Sequence, residues 1–308
     1  MSGDSISVEK QHSKAYVDEA GAKGLLRNLN ASTDDEIAVL AALVTPQGSE
    51  EHFHNVLLLP FEKFKSARPN GVGTLHITDA FIPGNEEWAS VAREVRTELF
   101  TKIRELKIPI IYDARRQRVA RRSYQVATDL MEKARALRTS IISINHRPSA
   151  ERIDGACMTG LALKLDALAE DQGLGVIDLI TDQMDRSIAE LFEEMIEETA
   201  TISKTKDASV PGWNPVERKK VFGTIRIEIK DKRGQPIQWL DTKHVGDVVV
   251  LGKDNPLVFA ADVVVNALYH HLKSLSADAP LNAPSSIRGW ELAECVYGVR
   301  VSAFEDQI

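Results

Sequence analysis

Short apolar runs alternate along the chain with longer amphipathic stretches, and the two periods predict a mixture of strands and helices. Ala15–Gly21 reads as a short strand ending in a glycine turn, and Ile37–Val44, apolar at every position, as a second strand closed by Thr45-Pro46. Phe53, Val56, Leu57 and Phe64 carry helical spacing between Glu50 and Ala67, with Pro60 expected to break or kink that helix. Thr74–Ile77 looks like a third strand. Trp88, Val91, Val95, Leu99 and Ile103 line one stripe of a helix over Glu86–Leu106, which leads into a strand at Ile108–Tyr112.

Further along, the pattern predicts a basic helical stretch over Arg118–Leu137, a strand at Ile141–Ile144, a helix near Gly155–Glu170, a strand at Val176–Ile180 and an acidic helix over Ile188–Glu198. Ser203–Arg218 is polar and contains proline, hence a loop; Thr224–Ile229 alternates like a strand, Val248–Leu251 is a short buried one, and Leu257–Leu272 is helical. The class is α/β, with early strands joined without room for crossover helices and later strands separated by helices. Residues 1–14 are expected to be a flexible N-terminus, residues 15–275 the folded domain and residues 276–308 a C-terminal extension.

Composition narrows the function. The chain has 308 residues, 43% of them apolar, enough to bury a core, and its net charge of −7 excludes a uniformly basic nucleic-acid coat. A polyanion must therefore meet a local patch. Residues 107–147 supply one, with ten basic residues against three acidic ones. Arg115, Arg116, Arg118, Arg121 and Arg122 are its best phosphate-contact candidates, each neutralised phosphate adding a salt-sensitive contribution. The alternative is a solvated helix face, or a surface that meets the acidic Glu193-Glu194 and Glu197-Glu198 helix across a homodimer. An aromatic content of 6% gives no base-stacking platform. Cys157 and Cys295 stand far apart, which excludes a disulfide scaffold and a cysteine zinc site and suits a reducing cytoplasm. With no leader and no apolar run near the ~18 residues of a membrane helix, no membrane association is expected.

Three acids stand where burial is expected: Asp18 in the first strand, Asp182 just past the Val176 strand, and Asp262 on the apolar stripe of a late helix with Val258, Phe259, Val265 and Asn266. An unpaired buried carboxylate is costly, so each needs a partner or a cation, and Mg²⁺ or Mn²⁺ held by several carboxylates is one such compensation. Asp18 and Glu19 alternate across the strand and cannot both hold one ion without a bulge; Asp18 is preferred, with Glu19 the alternative partner of a basic residue. Asp182 is preferred over Asp178 and Asp185 because it stands at a strand exit, where side chains converge. His76 and Asp79, three residues apart, are placed either to orient a water or bind a metal, or to cap a turn before Pro83.

These same residues carry a resemblance. Tyr16-Val17-Asp18-Glu19-Ala20-Gly21 followed by the strand Ala38–Val44 resembles the Tyr-Val-Asp-Glu-Ser-Gly opening of a widespread bacterial and phage domain family of unknown function with a ribonuclease H-like, integrase-like fold. Leu75-His76-Ile77-Thr78-Asp79 is similar to that family's His-x-x-acid segment, Val176–Asp182 to its strand-then-Asp segment, and Phe259-Ala260-Ala261-Asp262-Val263-Val264 to its closing helix. Ala20 departs from the usual Ser, and Phe259-Ala260 from Gln-Leu. The resemblance spans roughly residues 14–275.

It implies a ribonuclease H-like mixed sheet flanked by helices, with a helical insertion around residues 115–170 lying on the sheet. It also implies an acidic triad of Asp18, Asp182 and Asp262, with Glu19, His76 and Asp79 nearby. Carboxylates from a central strand, a neighbouring strand end and a helix would hold two divalent ions about 3.5 to 4 Å apart, one activating water and the other steadying the leaving oxygen. No side-chain nucleophile is then needed, in keeping with the lack of a Gly-x-Ser-x-Gly elbow, and the sequence has no Walker loop or Gly-x-Gly-x-x-Gly. The expected function is a Mg²⁺- or Mn²⁺-dependent nuclease acting on DNA or RNA. The alternatives are a non-catalytic module of the same fold, serving phage defence or a mobile element, and a metal-dependent phosphatase on a small substrate. Val263, Val264 and Tyr269 are read as exposed apolar residues of a late helix, able to support a homodimer.

Overall fold

The computed structural model describes residues 12–25, 35–73, 75–122, 124–125, 129, 152–182, 207–214, 216–226, 243–252 and 254–297. The expected strand at Ile141–Ile144, the helix at Ile188–Glu198 and Asp185 lie outside them.

Three strands open the sheet: β1 (Ser13–Gly21), β2 (Ile37–Thr45) and β3 (Ile110–Arg116). β4 (Ile177–Thr181) follows, and β5 (Asp207–Asn214) pairs with β6 (Lys219–Arg226) as a separate two-stranded sheet. β7 (Val245–Val250) completes the main five-stranded sheet in the order β3-β2-β1-β4-β7. β1 and β3 run antiparallel to β2, whereas β4 runs parallel to β1 and β7 parallel to β4. The protein is therefore α/β with a mixed sheet.

Helices cover both faces, which is why β2 is buried along its whole length and apolar from Ile37 to Val44. On one face α1 (Glu50–Ser66), α2 (Glu86–Leu106) and α4 (Pro256–Lys273) enclose a core around Tyr16, Leu43, Phe61, Phe64, Trp88 and Phe259. Phe64 stacks between Trp88 and Phe259 at ring-centroid distances of 4.8 and 4.7 Å. On the other, α3 (Ile153–Gln172) covers Ala15, Val17, Leu40 and Ile111.

Several expectations are corrected. β1 begins at Ser13 rather than Ala15, because Ser13 pairs with Ile177 and its hydroxyl donates to the Leu174 carbonyl at 2.9 Å. α1 runs unbroken through Pro60, whose ring is buried beside Phe61 and Phe64; this packing offsets the missing N–H. The third strand of the sheet is Ile110–Arg116, so β2 and β3 are joined through α1 and α2 rather than directly. Residues 75–76 form no strand, and Ile77–Phe81 is a 3-10 turn. The proline-containing stretch taken as a loop includes β5, where Pro211 faces Phe222 in a two-stranded ribbon; every strand there is an edge, the setting that tolerates proline. Val263 and Val264 are 1% exposed, because α4 is packed between the sheet and α1, and they offer no dimer face.

The segment after α4 is no loose extension. Asn282 Oδ1 accepts from Ala114 N at 3.0 Å and its Nδ2 donates to Ala114 O at 2.9 Å, satisfying both backbone groups of an edge-strand residue. Tyr297 N donates to Ile110 O at 3.0 Å, and Lys164 Nζ to Tyr112 O at 2.8 Å. The outer edge of β3 is thus occupied without another strand. No described helix is long and apolar enough to cross a membrane.

Candidate functional site

β1 lies at the centre of the sheet, and its last turn carries the acids. Side chains alternate there: Tyr16 and Ala20 belong to the α4-side core and Ala15 and Val17 to the α3-side core, so Asp18 faces α4 and Glu19 faces α3, as the period of two requires. Val17 pairs with Thr181, which puts Asp182, one residue further, level with Asp18 at the exit of β4. Asp262 comes from the middle of α4, which crosses the same face of β1 and β2. The chain then leaves β1 through Gly21 at φ +88°, where a Cβ would stand 2.1 Å from the Ile37 carbonyl and 2.6 Å from the Tyr269 ring; only glycine lets α4 approach this closely.

Asp18, Asp182 and Asp262 are 4%, 7% and 4% exposed, so all three are buried as the sequence predicts. Asp262 is held firmly. Its Oδ2 accepts from Ile77 N at 2.7 Å and its Oδ1 from Asn266 Nδ2 at 2.7 Å, and His76 Nδ1 stands 3.7 Å from Oδ1. That capture of Ile77 N explains why the His76 segment turns into a 3-10 helix instead of a strand. Asp79 sits within the turn, and Asn85 Nδ2 donates to its backbone carbonyl at 3.0 Å.

Burial, then the negative charges of Glu19 and Asp262, push Asp182 up to about 6, and the nearby Lys23 only partly offsets them. These four groups are therefore electrostatic neighbours. Glu19 Oε1 accepts from Lys23 Nζ at 2.7 Å, while its Oε2 is buried and has no hydrogen-bond partner. Lys23 is the residue that sequence reasoning missed. Its signal was the four-residue spacing from Glu19 across the Gly21 turn, and it is the basic partner that the alternative reading of Glu19 called for.

The donors are all carboxylate oxygens, a set that suits Mg²⁺ or Mn²⁺, and the orphaned Glu19 oxygen and the raised Asp182 both fit a missing cation. As the side chains stand, no three His, Cys, Asp or Glu among the described residues form a group able to hold a metal ion.

Arg115, Arg116 and Arg118 are engaged by other parts of the protein. Arg115 Nε donates to the fully buried Asp113 at 2.8 Å, Arg116 to the Ser276 carbonyl at 2.8 Å, and Arg118 to the Ala277 carbonyl at 2.6 Å and to Asp278 at 2.8 Å. Arg121 is half-buried and Arg122 exposed. No protein-family model, curated protein or solved structure matches the chain.

Proposed function

We propose that the protein is a metal-dependent phosphodiesterase of ribonuclease H-like architecture, a nuclease acting on DNA or RNA. The observation that carries this reading is that Asp18, Asp182 and Asp262, from a central strand, the end of its neighbour and a crossing helix, are all buried on the α4 side of the sheet at the end of β1. Burial first, and then Glu19 and Asp262, raise Asp182 to about 6, and a Glu19 oxygen is left without a donor. A bound cation is one means by which a protein compensates buried carboxylates.

A divalent ion held by these carboxylates would supply a water of lowered pKa and a counter-charge for the leaving oxygen. The chain's own groups do the rest. Ile77 N and Asn266 fix the Asp262 carboxylate, so that it meets its ligand without reorganising. His76, more than a third exposed and beside Asp262, is positioned to exchange a proton with solvent at the pocket mouth. Arg115 and Arg116 are engaged inside the protein, and phosphate contact is assigned to the exposed Arg122.

The test is cleavage of labelled single-stranded, duplex and hybrid DNA and RNA with Mn²⁺ or Mg²⁺. Wild-type cleavage lost in both Asp18→Asn and Asp262→Asn is the expected result. No cleavage together with no metal-induced rise in melting temperature overturns it. One observation favours a second reading, a non-catalytic binding module: no described trio of side chains yet forms a metal-holding group.

A further inference from the structure

β5 and β6 form a two-stranded ribbon that is not hydrogen-bonded to the main sheet. Its register is unbroken from Asp207 opposite Arg226 to Asn214 opposite Lys219, which makes it about 24 Å long at ~3.4 Å per residue. The turn at its tip is fixed by its own side chains. Asn214 Oδ1 accepts from Val216 N at 3.0 Å and from Glu217 N at 3.1 Å, and Asn214 Nδ2 donates to Glu217 Oε2 at 3.1 Å. Lys219 Nζ stands 3.0 Å from the same oxygen, and Arg218 takes a left-handed conformation, φ +49°, on the way back into β6.

Charge and exposure distinguish this tip. In a chain of net charge −7, residues 207–226 carry four basic residues against two acidic ones, and β6 has Lys219, Lys220 and Arg226 with no acid. Residues 216–220 are all exposed, Val216 at 89%. Side chains alternate along a strand, so the adjacent Lys219 and Lys220 stand on opposite faces of the ribbon and make its tip positive on both. A flat anionic surface is met by one charged face, whereas a duplex groove has a row of phosphates on each side. The major groove of B-DNA, about 12 Å wide, admits a two-stranded ribbon and offers thymine methyls to an apolar side chain. A single valine supplies too little apolar surface to hold the chain on a bilayer.

We propose that the β5–β6 ribbon is a nucleic-acid-binding arm whose tip enters the major groove of duplex DNA, with Arg218, Lys219 and Lys220 on the flanking phosphates and Val216 against the base edges. The inference rests on the nuclease reading for its partner, and deepens it by naming the form of nucleic acid bound. Because Asn214 already holds the turn, binding has little of the tip left to order.

The experiment is fluorescence anisotropy of labelled duplex DNA, single-stranded DNA and duplex RNA with the full chain, in chelator and over a range of NaCl concentrations. Wild type is compared with the triple variant Arg218→Gln, Lys219→Gln, Lys220→Gln and with Val216→Ser; all four positions are exposed, so both variants are expected to melt as wild type does. Wild type is expected to prefer duplex DNA to duplex RNA, whose major groove is too narrow to enter. The triple variant should bind duplex DNA about tenfold or more weakly, with the slope of log K against log salt reduced by about 2–3. Val216→Ser should weaken binding about fivefold and leave the slope unchanged. Unchanged affinity and slope in the triple variant overturn the arm and leave the nuclease reading standing. Wild-type binding to no nucleic acid overturns that reading and this inference together. Equal losses on single-stranded and duplex DNA overturn the groove placement. Binding to phosphatidylserine vesicles that the triple variant loses, with its DNA binding intact, assigns the tip to a membrane and overturns the proposal.

Discussion

Asp182→Asn is expected to stabilise the metal-free protein at neutral pH, although it removes a carboxylate from the proposed site. Asp182 is 7% exposed, and its pKa rises from 3.8 to about 6, chiefly through burial and then through Glu19 and Asp262. An acid with a raised folded-state pKa favours the folded state when protonated. Its contribution is fully present below about pH 4, is lost as pH rises through 6, and leaves a constant penalty above that. At about 1.4 kcal/mol per pH unit, a shift of this size corresponds to about 3 kcal/mol at pH 7.5 and about half of that at pH 5.

The assay is urea unfolding of wild type and Asp182→Asn in chelator at both values. The variant should gain about 2–3 kcal/mol at pH 7.5, with the gain roughly halved at pH 5. A loss of stability at pH 7.5, or a gain that does not change with pH, would refute the electrostatic account of the pocket. Under saturating Mn²⁺ the gap should largely close. At a hundredfold excess over its Kd a ligand adds about 2.7 kcal/mol to the wild type, and a variant lacking one carboxylate forfeits much of that.

Three further outcomes concern the scaffold. Asp113→Ala removes a fully buried carboxylate that pairs with Lys164 and Arg115, each at 2.8 Å, and should cost about 3–5 kcal/mol in denaturant unfolding, because two partly buried cations are left behind. Gly160→Ala would put a Cβ 2.4 Å from Asp113 Cγ, whose position those two cations fix, so a loss of about 1–3 kcal/mol is expected and a neutral effect would show that this wall can yield. Asn282→Ala exposes both backbone groups of Ala114 on the outer edge of β3; light scattering should detect concentration-dependent association absent from the wild type, together with a stability loss of about 1–3 kcal/mol.

The acids were legible because each breaks an otherwise apolar stretch, and a strand or helix period then assigns them a face: Asp18 within β1, Asp182 at the exit of β4 and Asp262 on α4. α2 was legible for the converse reason, its single apolar stripe demanding one covered side. Where sequence reasoning failed, a distant partner decided the local structure. Leu75-His76-Ile77 has a strand's composition, but Asp262, 185 residues beyond Ile77, takes the Ile77 N–H and bends it into a 3-10 turn. Val263 and Val264 suggest an exposed face only if α4 has one free side, and α1 and the sheet leave it none. The Arg115–Arg118 run reads as a phosphate patch because composition counts charge without geometry; the carbonyls of Ser276 and Ala277 that Arg116 and Arg118 meet come from about 160 residues further along.

The treatment of buried carboxylates elsewhere in the molecule gives the pocket its meaning. Asp113 has Arg115 and Lys164, and Asp154 has Arg152 at 2.6 Å, each a basic side chain drawn close, while Asp166 accepts the backbone N–H of His244 at 2.7 Å. The sheet can therefore balance a buried charge from within when balance is all that is required. At the end of β1 it brings several acids together, with Lys23 Nζ on Glu19 Oε1 at 2.7 Å, Asp182 raised to about 6 by burial and then by Glu19 and Asp262, and the other Glu19 oxygen without a donor. A central strand, the end of its parallel neighbour and a crossing helix meet there, and that is where a hydrolytic centre built on carboxylate-bound ions would have to stand.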